Sequence, residues 1–190
     1  NNGAITFADT LNGAYTLTAN TAGTTTFGGA VGGVSGSELV SITTDAAGTT
    51  QIDGGSIKTA GTDNAMSFGD NVTLGATTTL TAVDGDISFG KALDSASGSA
   101  QALTLASGTG DITFTGLVGA TDILGAVTIS SAADVTVNGL RAASLAQTAG
   151  TGTTTINTGA FTTTPQGIAT SGAAGVVINN DAITINDSID

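Results

Sequence analysis

One short phrase recurs along this chain and leaves few folds open to it. An apolar residue, a small polar one and a second apolar one are followed by Gly, Asn or Asp. The plainest copy is Gly110-Asp111-Ile112-Thr113-Phe114-Thr115-Gly116-Leu117-Val118-Gly119. The Phe114 position recurs as Phe7, Phe27, Ile52, Phe68, Phe89, Phe114, Val137, Ile156 and Ile178, at steps of 20, 25, 16, 21, 25, 23, 19 and 22 residues. Five of the six phenylalanines fall on it; Phe161 is the exception and sits where a second strand would start. Two residues earlier stand Ile5, Thr25, Thr50, Met66, Ile87, Ile112, Val135, Thr154 and Val176. Alternation of this kind buries one face of a strand, and Gly and Asn accept the backbone of a corner.

A second class of strand fills the gaps: Tyr15 to Thr18, Val40 to Thr43, Leu80 to Ala82, Leu103 to Ala106, Val127 to Ser130 and Ile183 to Ile185. Nothing reads as a stable helix; Arg141 to Gln147 has the composition for one turn at most, between flanking Thr and Gly. Short strands with Gly-rich corners suit a sandwich, a barrel or a solenoid. Only a solenoid has a reason to repeat like residues every 21 or so, because equivalent side chains stack from coil to coil. The expectation is an all-β parallel β-helix, residues 1–190 forming one segment of roughly nine coils of about 21 residues. The long step from Phe89 to Phe114 predicts a bulging loop over Asp94 to Ala100. The short step from Ile52 to Phe68 predicts a tight or partly missing side.

Composition narrows the chemistry. Only 9% of residues are charged, and 15 acids face Lys58, Lys91 and Arg141 for a net charge of −12. Such a surface repels phosphates and anionic headgroups, so no nucleic acid is expected as a partner. No apolar run is long enough to span a bilayer as a helix, and no membrane insertion is expected. A disordered linker would not alternate apolar residues. With no Cys and no His, disulfides, Cys/His zinc sites and a Ser-His-Asp triad are excluded. No signal peptide is visible at Asn1, and the chain opens and closes within repeat-like sequence, which reads as a mature product or an excised segment.

No catalytic, cofactor-binding or metal-binding residue is assigned from the sequence, and the expectation is not an enzyme. A Ser-Lys dyad would need Lys58 or Lys91, and neither sits in a supporting motif. Carboxylate pairs that cleave sugars want aromatic and basic partners, and the chain has one Tyr and no Trp. The alternative with most substance is calcium at Asp84, Asp86 and Asp111, with Asp111 one coil on from Asp86. The plainer reading makes each Asp a corner residue. The Gly-x-Gly clusters near Val31 and Gly150 lack the following helix that a phosphate cradle uses. Ice binding would need Thr at one site in successive coils. The triplets at Thr24, Thr77, Thr153 and Thr162 lie 53, 76 and 9 residues apart and skip coils.

The phrase from Gly110 to Gly119, followed by Leu124-Gly125-Ala126-Val127-Thr128-Ile129-Ser130-Ser131-Ala132, resembles the repeats of filamentous-haemagglutinin-type proteins. So does Phe27-Gly28-Gly29-Ala30-Val31-Gly32-Gly33 with Leu39 to Thr43, and the resemblance runs through most of the chain. It implies a right-handed parallel β-helical rod on a bacterial surface, exported by a two-partner or autotransporter route, with an adhesin, biofilm or sheath role. The location it implies is extracellular, at the bacterial cell surface. The implied partners are like repeats of the protein itself and a host surface, a neighbouring cell surface or glycans. A carbohydrate- or calcium-binding surface module is the second reading. Ala4-Ile5-Thr6-Phe7 and Ala182-Ile183-Thr184-Ile185 look equally ready to pair end to end, with Asp187 and Asp190 alone to blunt the second and Pro165 far from either.

Overall fold

The computed structural model describes residues 2–157, 168–170, 176–180 and 182–185. Among them there is no helix, and the strands form three parallel sheets. The first sheet stacks β1 (Ile5–Phe7), β3 (Thr24–Phe27), β5 (Thr49–Ile52), β8 (Asn71–Leu74) and β11 (Leu93–Ser95). The second stacks β2 (Thr16–Ala19), β4 (Ser41–Thr44), β7 (Met66–Phe68), β10 (Ile87–Phe89), β13 (Ile112–Phe114), β15 (Val135–Val137), β17 (Thr153–Ile156) and β20 (Ala182–Ile185). The third stacks β6 (Ser56–Thr59), β9 (Thr78–Ala82), β12 (Leu103–Ala106), β14 (Leu124–Ser131) and β16 (Leu140–Gln147), with β18 (Ile168–Thr170) and β19 (Val176–Ile178) both on β16. The chain visits the sheets in rotation, which makes it a parallel β-solenoid. It winds through about six turns, not the nine coils expected.

The overcount has a physical cause. The series of anchors runs along three walls, not one. Phe7, Phe27, Ile52 and Leu74 are register partners on the first sheet. Phe68, Phe89, Phe114, Val137 and Ile156 are partners on the second. Ile178 lies on the third, beside Gln147. The short step from Ile52 to Phe68 is therefore a change of wall within one coil, with β6 between them, and no side is missing.

Each aromatic ladder stacks face to face. Phe7 and Phe27 are 5.3 Å apart and 3° from parallel. Phe68 and Phe89 are 5.4 Å apart, and Phe89 and Phe114 5.1 Å. Phe7, at the open end of its ladder, is only half-buried, whereas Phe27, Phe68, Phe89 and Phe114 are fully enclosed. The narrow interior explains the hand-over between ladders. Coils with Phe7 and Phe27 on the first wall carry Ala19 and Thr44 on the second; coils with Phe68 and Phe89 on the second wall carry Ile52 and Leu74 on the first. Each of these coils packs one large ring against small or aliphatic side chains of the facing wall, and a second ring there would overpack it.

Two local readings change. Arg141 to Gln147 belongs to β16, a strand whose side chains alternate in burial, because β14 offers a partner edge along its length. The bulging loop is present but begins later than expected: Asp94 and Ser95 remain in β11, and residues 97–100 form the exposed part. Phe161 lies outside the described residues. At Gly54 the coils approach so closely that a Cβ would press into the carbonyl of Gly29 one coil away.

Replacing Phe89, with a ring on either side, by Ala is expected to cost about 3–5 kcal/mol in chemical denaturation. The Phe7→Ala change, at the half-open end of a ladder, should cost clearly less. Gly54→Ala is expected to cost about 1–3 kcal/mol by overpacking, whereas Gly33→Ala, which meets only the Ala30 side chain at ordinary distance, should stay within about 0.5 kcal/mol.

Candidate functional site

The acids singled out by the sequence sit at the corner that leads from the third sheet into the second. Asp86 and Asp111 occupy the same place one coil apart, immediately before β10 and β13, and Asp134 extends the column before β15. Each uses one oxygen to stitch its coil to the next. The backbone N–H of Asp111 donates to Asp86 Oδ1 at 2.9 Å, that of Asp134 to Asp111 Oδ1 at 2.9 Å, and that of Thr153 to Asp134 Oδ1 at 2.7 Å. Asp84 accepts from both the backbone N–H and the hydroxyl of Thr109, each at 3.2 Å. A column with one carboxylate per coil is the geometry of a corner cap. Among the described residues no three His, Cys, Asp or Glu side chains converge as a ligand set. Asp134 escaped the sequence reading because Ala132 and Ala133 precede it where Gly precedes Asp86 and Asp111.

The most regular surface feature is on the second sheet. Its central outward position is Thr18, Thr43, Ser67, Ser88, Thr113, Thr136, Thr155 and Thr184, in register from coil to coil. Every member is half-buried or exposed. The comparable row on the first sheet, Thr6, Thr26, Gln51, Thr73 and Asp94, is broken by other chemistry. The Thr triplets do not build the row as triplets. Thr25, Thr78 and Thr154, the middle residues, point inward and are buried, because successive strand residues face opposite ways. The triplet at Thr162 lies outside the described residues. The objection that Thr skips coils therefore fails for this face: a hydroxyl stands at one site in successive coils, drawn from strands that mostly carry a single Thr or Ser.

The three cations and the buried acid Asp70 all hold hydrogen bonds within the fold. Lys58 Nζ pairs with Glu38 Oε1 at 2.8 Å, and that bond holds the Glu38 carboxyl below its ordinary value. Lys91 Nζ donates to the Ala46 carbonyl at 2.6 Å, and Arg141 Nη1 to that of Ala120 at 3.2 Å. Inside, Asp70 accepts from the hydroxyls of Thr44 and Thr50, and Thr154 Oγ1 donates to Gln147 Oε1 at 2.6 Å. Burial pushes the Asp70 carboxyl up against the opposing effect of its two threonine bonds. A cleft of about 250 Å³ lies between residues 98–100 and Asp122–Ile123, and neither a cation nor an aromatic ring lines it. Comparison of the chain with protein-family models, curated proteins and solved structures finds no match.

Chelator is expected to leave the thermal melt unchanged; a drop of several degrees would make ligands of Asp84, Asp86 and Asp111. As a corner cap, Asp111 should tolerate Asn, which keeps the acceptor. Asp111→Ala should cost about 1 kcal/mol, the net worth of one hydrogen bond, measured by urea denaturation.

Proposed function

We propose that this chain is a structural, non-enzymatic segment of an extracellular bacterial filament or adhesin, of the filamentous-haemagglutinin type. One observation carries the reading: among the described residues the backbone ladder of each coil continues onto the next along a single axis, in three parallel sheets. Such a body grows in one direction by adding coils, whether the added coil belongs to the same chain or to another copy. The right-handed sense is expected for parallel strands joined by crossovers within one sheet. A rung of like sequence suits the unpaired edges of β1 and β2 and the half-buried Ile5, Phe7, Leu11 and Leu17 beside them. The acidic surface then keeps neighbouring rods apart in solution.

A second reading, a carbohydrate-binding face, is favoured by the hydroxyl row of the second sheet alone. It predicts that Thr113→Lys combined with Thr136→Lys abolishes retention on an insoluble polysaccharide while the melt is kept.

Electron microscopy of native material, paired with light scattering of the 190-residue chain, tests the primary reading. Thin unbranched rods, with end-to-end association that rises with concentration, are expected. Compact particles with both ends covered, monomeric at every concentration, would overturn it.

A further inference from the structure

A buried carboxylate lies where the two aromatic ladders hand over, and nothing in the proposed function uses it. Asp70 stands in the two-residue corner between β7 and β8 and is 2% exposed. Its Oδ1 accepts the hydroxyl of Thr44 at 2.8 Å and that of Thr50 at 2.8 Å; its Oδ2 lies 3.0 Å from the same Thr50 hydroxyl. Thr44 ends β4 on the second sheet, and Thr50 points inward from β5 on the first. One side chain thus ties both walls together across two coils, just above Phe68, where the second ladder begins.

No cation forms an ion pair with the carboxylate among the described residues. The overlying corner, residues 45–48, brings Asp45, a like charge. Lys91 reaches that corner from below and donates to the Ala46 carbonyl, not to Asp70. Both protonation states nevertheless have a place. Ionised, the carboxylate receives both threonine hydroxyls. Protonated, it donates from Oδ2 to Thr50 Oγ1 across the existing 3.0 Å, while Thr44 goes on donating to Oδ1. The threonine need only rotate its hydroxyl.

We propose that Asp70 is a proton-operated latch at this joint: as the acid it closes the corner between the two sheets, and loss of its proton to solvent loosens it. Desolvation is the cause, since a buried carboxylate without a cation is costly and the neutral acid is not. The upward displacement of the Asp70 carboxyl agrees. For an acid displaced upward in the folded state, stability is complete below the ordinary carboxylate range. It falls as pH rises through the interval between the ordinary and the displaced value, because the open form releases its proton first.

Hydrogen exchange of the 190-residue chain near pH 4 and near pH 7, beside the Asp70→Asn variant at each pH, is the test. Pairing the proteins at each pH cancels the intrinsic pH dependence of exchange. The two should match in β4, β5 and β8 at acid pH. At neutral pH the wild type should be less protected there, by roughly tenfold for each unit by which Asp70 titrates above ordinary carboxylates. A wild-type-to-variant ratio that does not change with pH, or that changes equally in β12 to β15, would overturn the latch. Should Asp70→Asn fail to fold, carbon-detected titration of the wild-type Asp70 carboxyl decides. A midpoint above the exposed carboxylates of the same chain supports the proposal, and one at or below them ends it.

Discussion

Each coil satisfies its backbone only by lying on another coil. A parallel ladder that runs along one axis pairs the N–H and C=O groups of each strand with those of the strands stacked on it. No coil could stand alone, since its hydrogen bonds and its apolar face both belong to the stack. This one constraint reaches the corners as well. Backbone N–H groups that the sheets leave over are taken by Asp86, Asp111 and Asp134 from the adjacent coil, and the Asn157 side-chain amide donates to Asn138 Oδ1 from one coil to the next.

Stacking also dictates what the interior can hold. Equivalent positions of successive strands are stacked, so ring meets ring at Phe7–Phe27 and along Phe68, Phe89 and Phe114. The lumen is too narrow for two ladders side by side. The chain therefore ends one on the first sheet, at Ile52 and Leu74, as it begins another on the second, at Phe68. Small and polar side chains collect at the change-over, with Thr44, Thr50 and Asp70 all buried there. That joint is where the interior departs most from apolar packing. Outside, the same register turns single Thr and Ser residues into a continuous row of hydroxyls. In the linear sequence that row shows only as the small polar residue in the middle of the recurring phrase.

The strands, the corners and the stacked architecture were legible because period-two burial and Gly/Asn punctuation are local signals. The wall to which each strand belongs was not. Phe68 follows Ile52 by the shortest step of the series, 16 residues, which reads as a shortened side of one wall as readily as a change of wall, and the residues between them, with Gly54 and Gly55 ahead of a Ser-Ile-Lys-Thr strand, resemble any other corner. Assigning β6 to its own sheet requires knowing that Ile57 pairs with Leu80. The Asp column was legible as corner chemistry because Asp86 and Asp111 precede equivalent anchors. The hydroxyl row was obscured by the triplets, which draw the eye although half of their neighbours face the core. Asp70 gave no signal: Gly69-Asp70 reads as an exposed turn, and only the tight corner turns its carboxylate inward.

The register through the change of wall is the central claim, and the absence of native Cys gives it a clean test. Thr43 and Ser67 are partners on the second sheet, whereas Gln51 pairs with Thr26 and Thr73 on the first. A single continuous ladder would instead set Gln51 beside Ser67. Adjacent coils hold their Cα atoms about 4.8 Å apart, inside the window of about 4.4–6.8 Å that a disulfide accepts. Under mild oxidation, Thr43→Cys with Ser67→Cys should cross-link rapidly within one chain, and Gln51→Cys with Ser67→Cys should not. Efficient bridging of the second pair, with none in the first, would contradict the two-wall account.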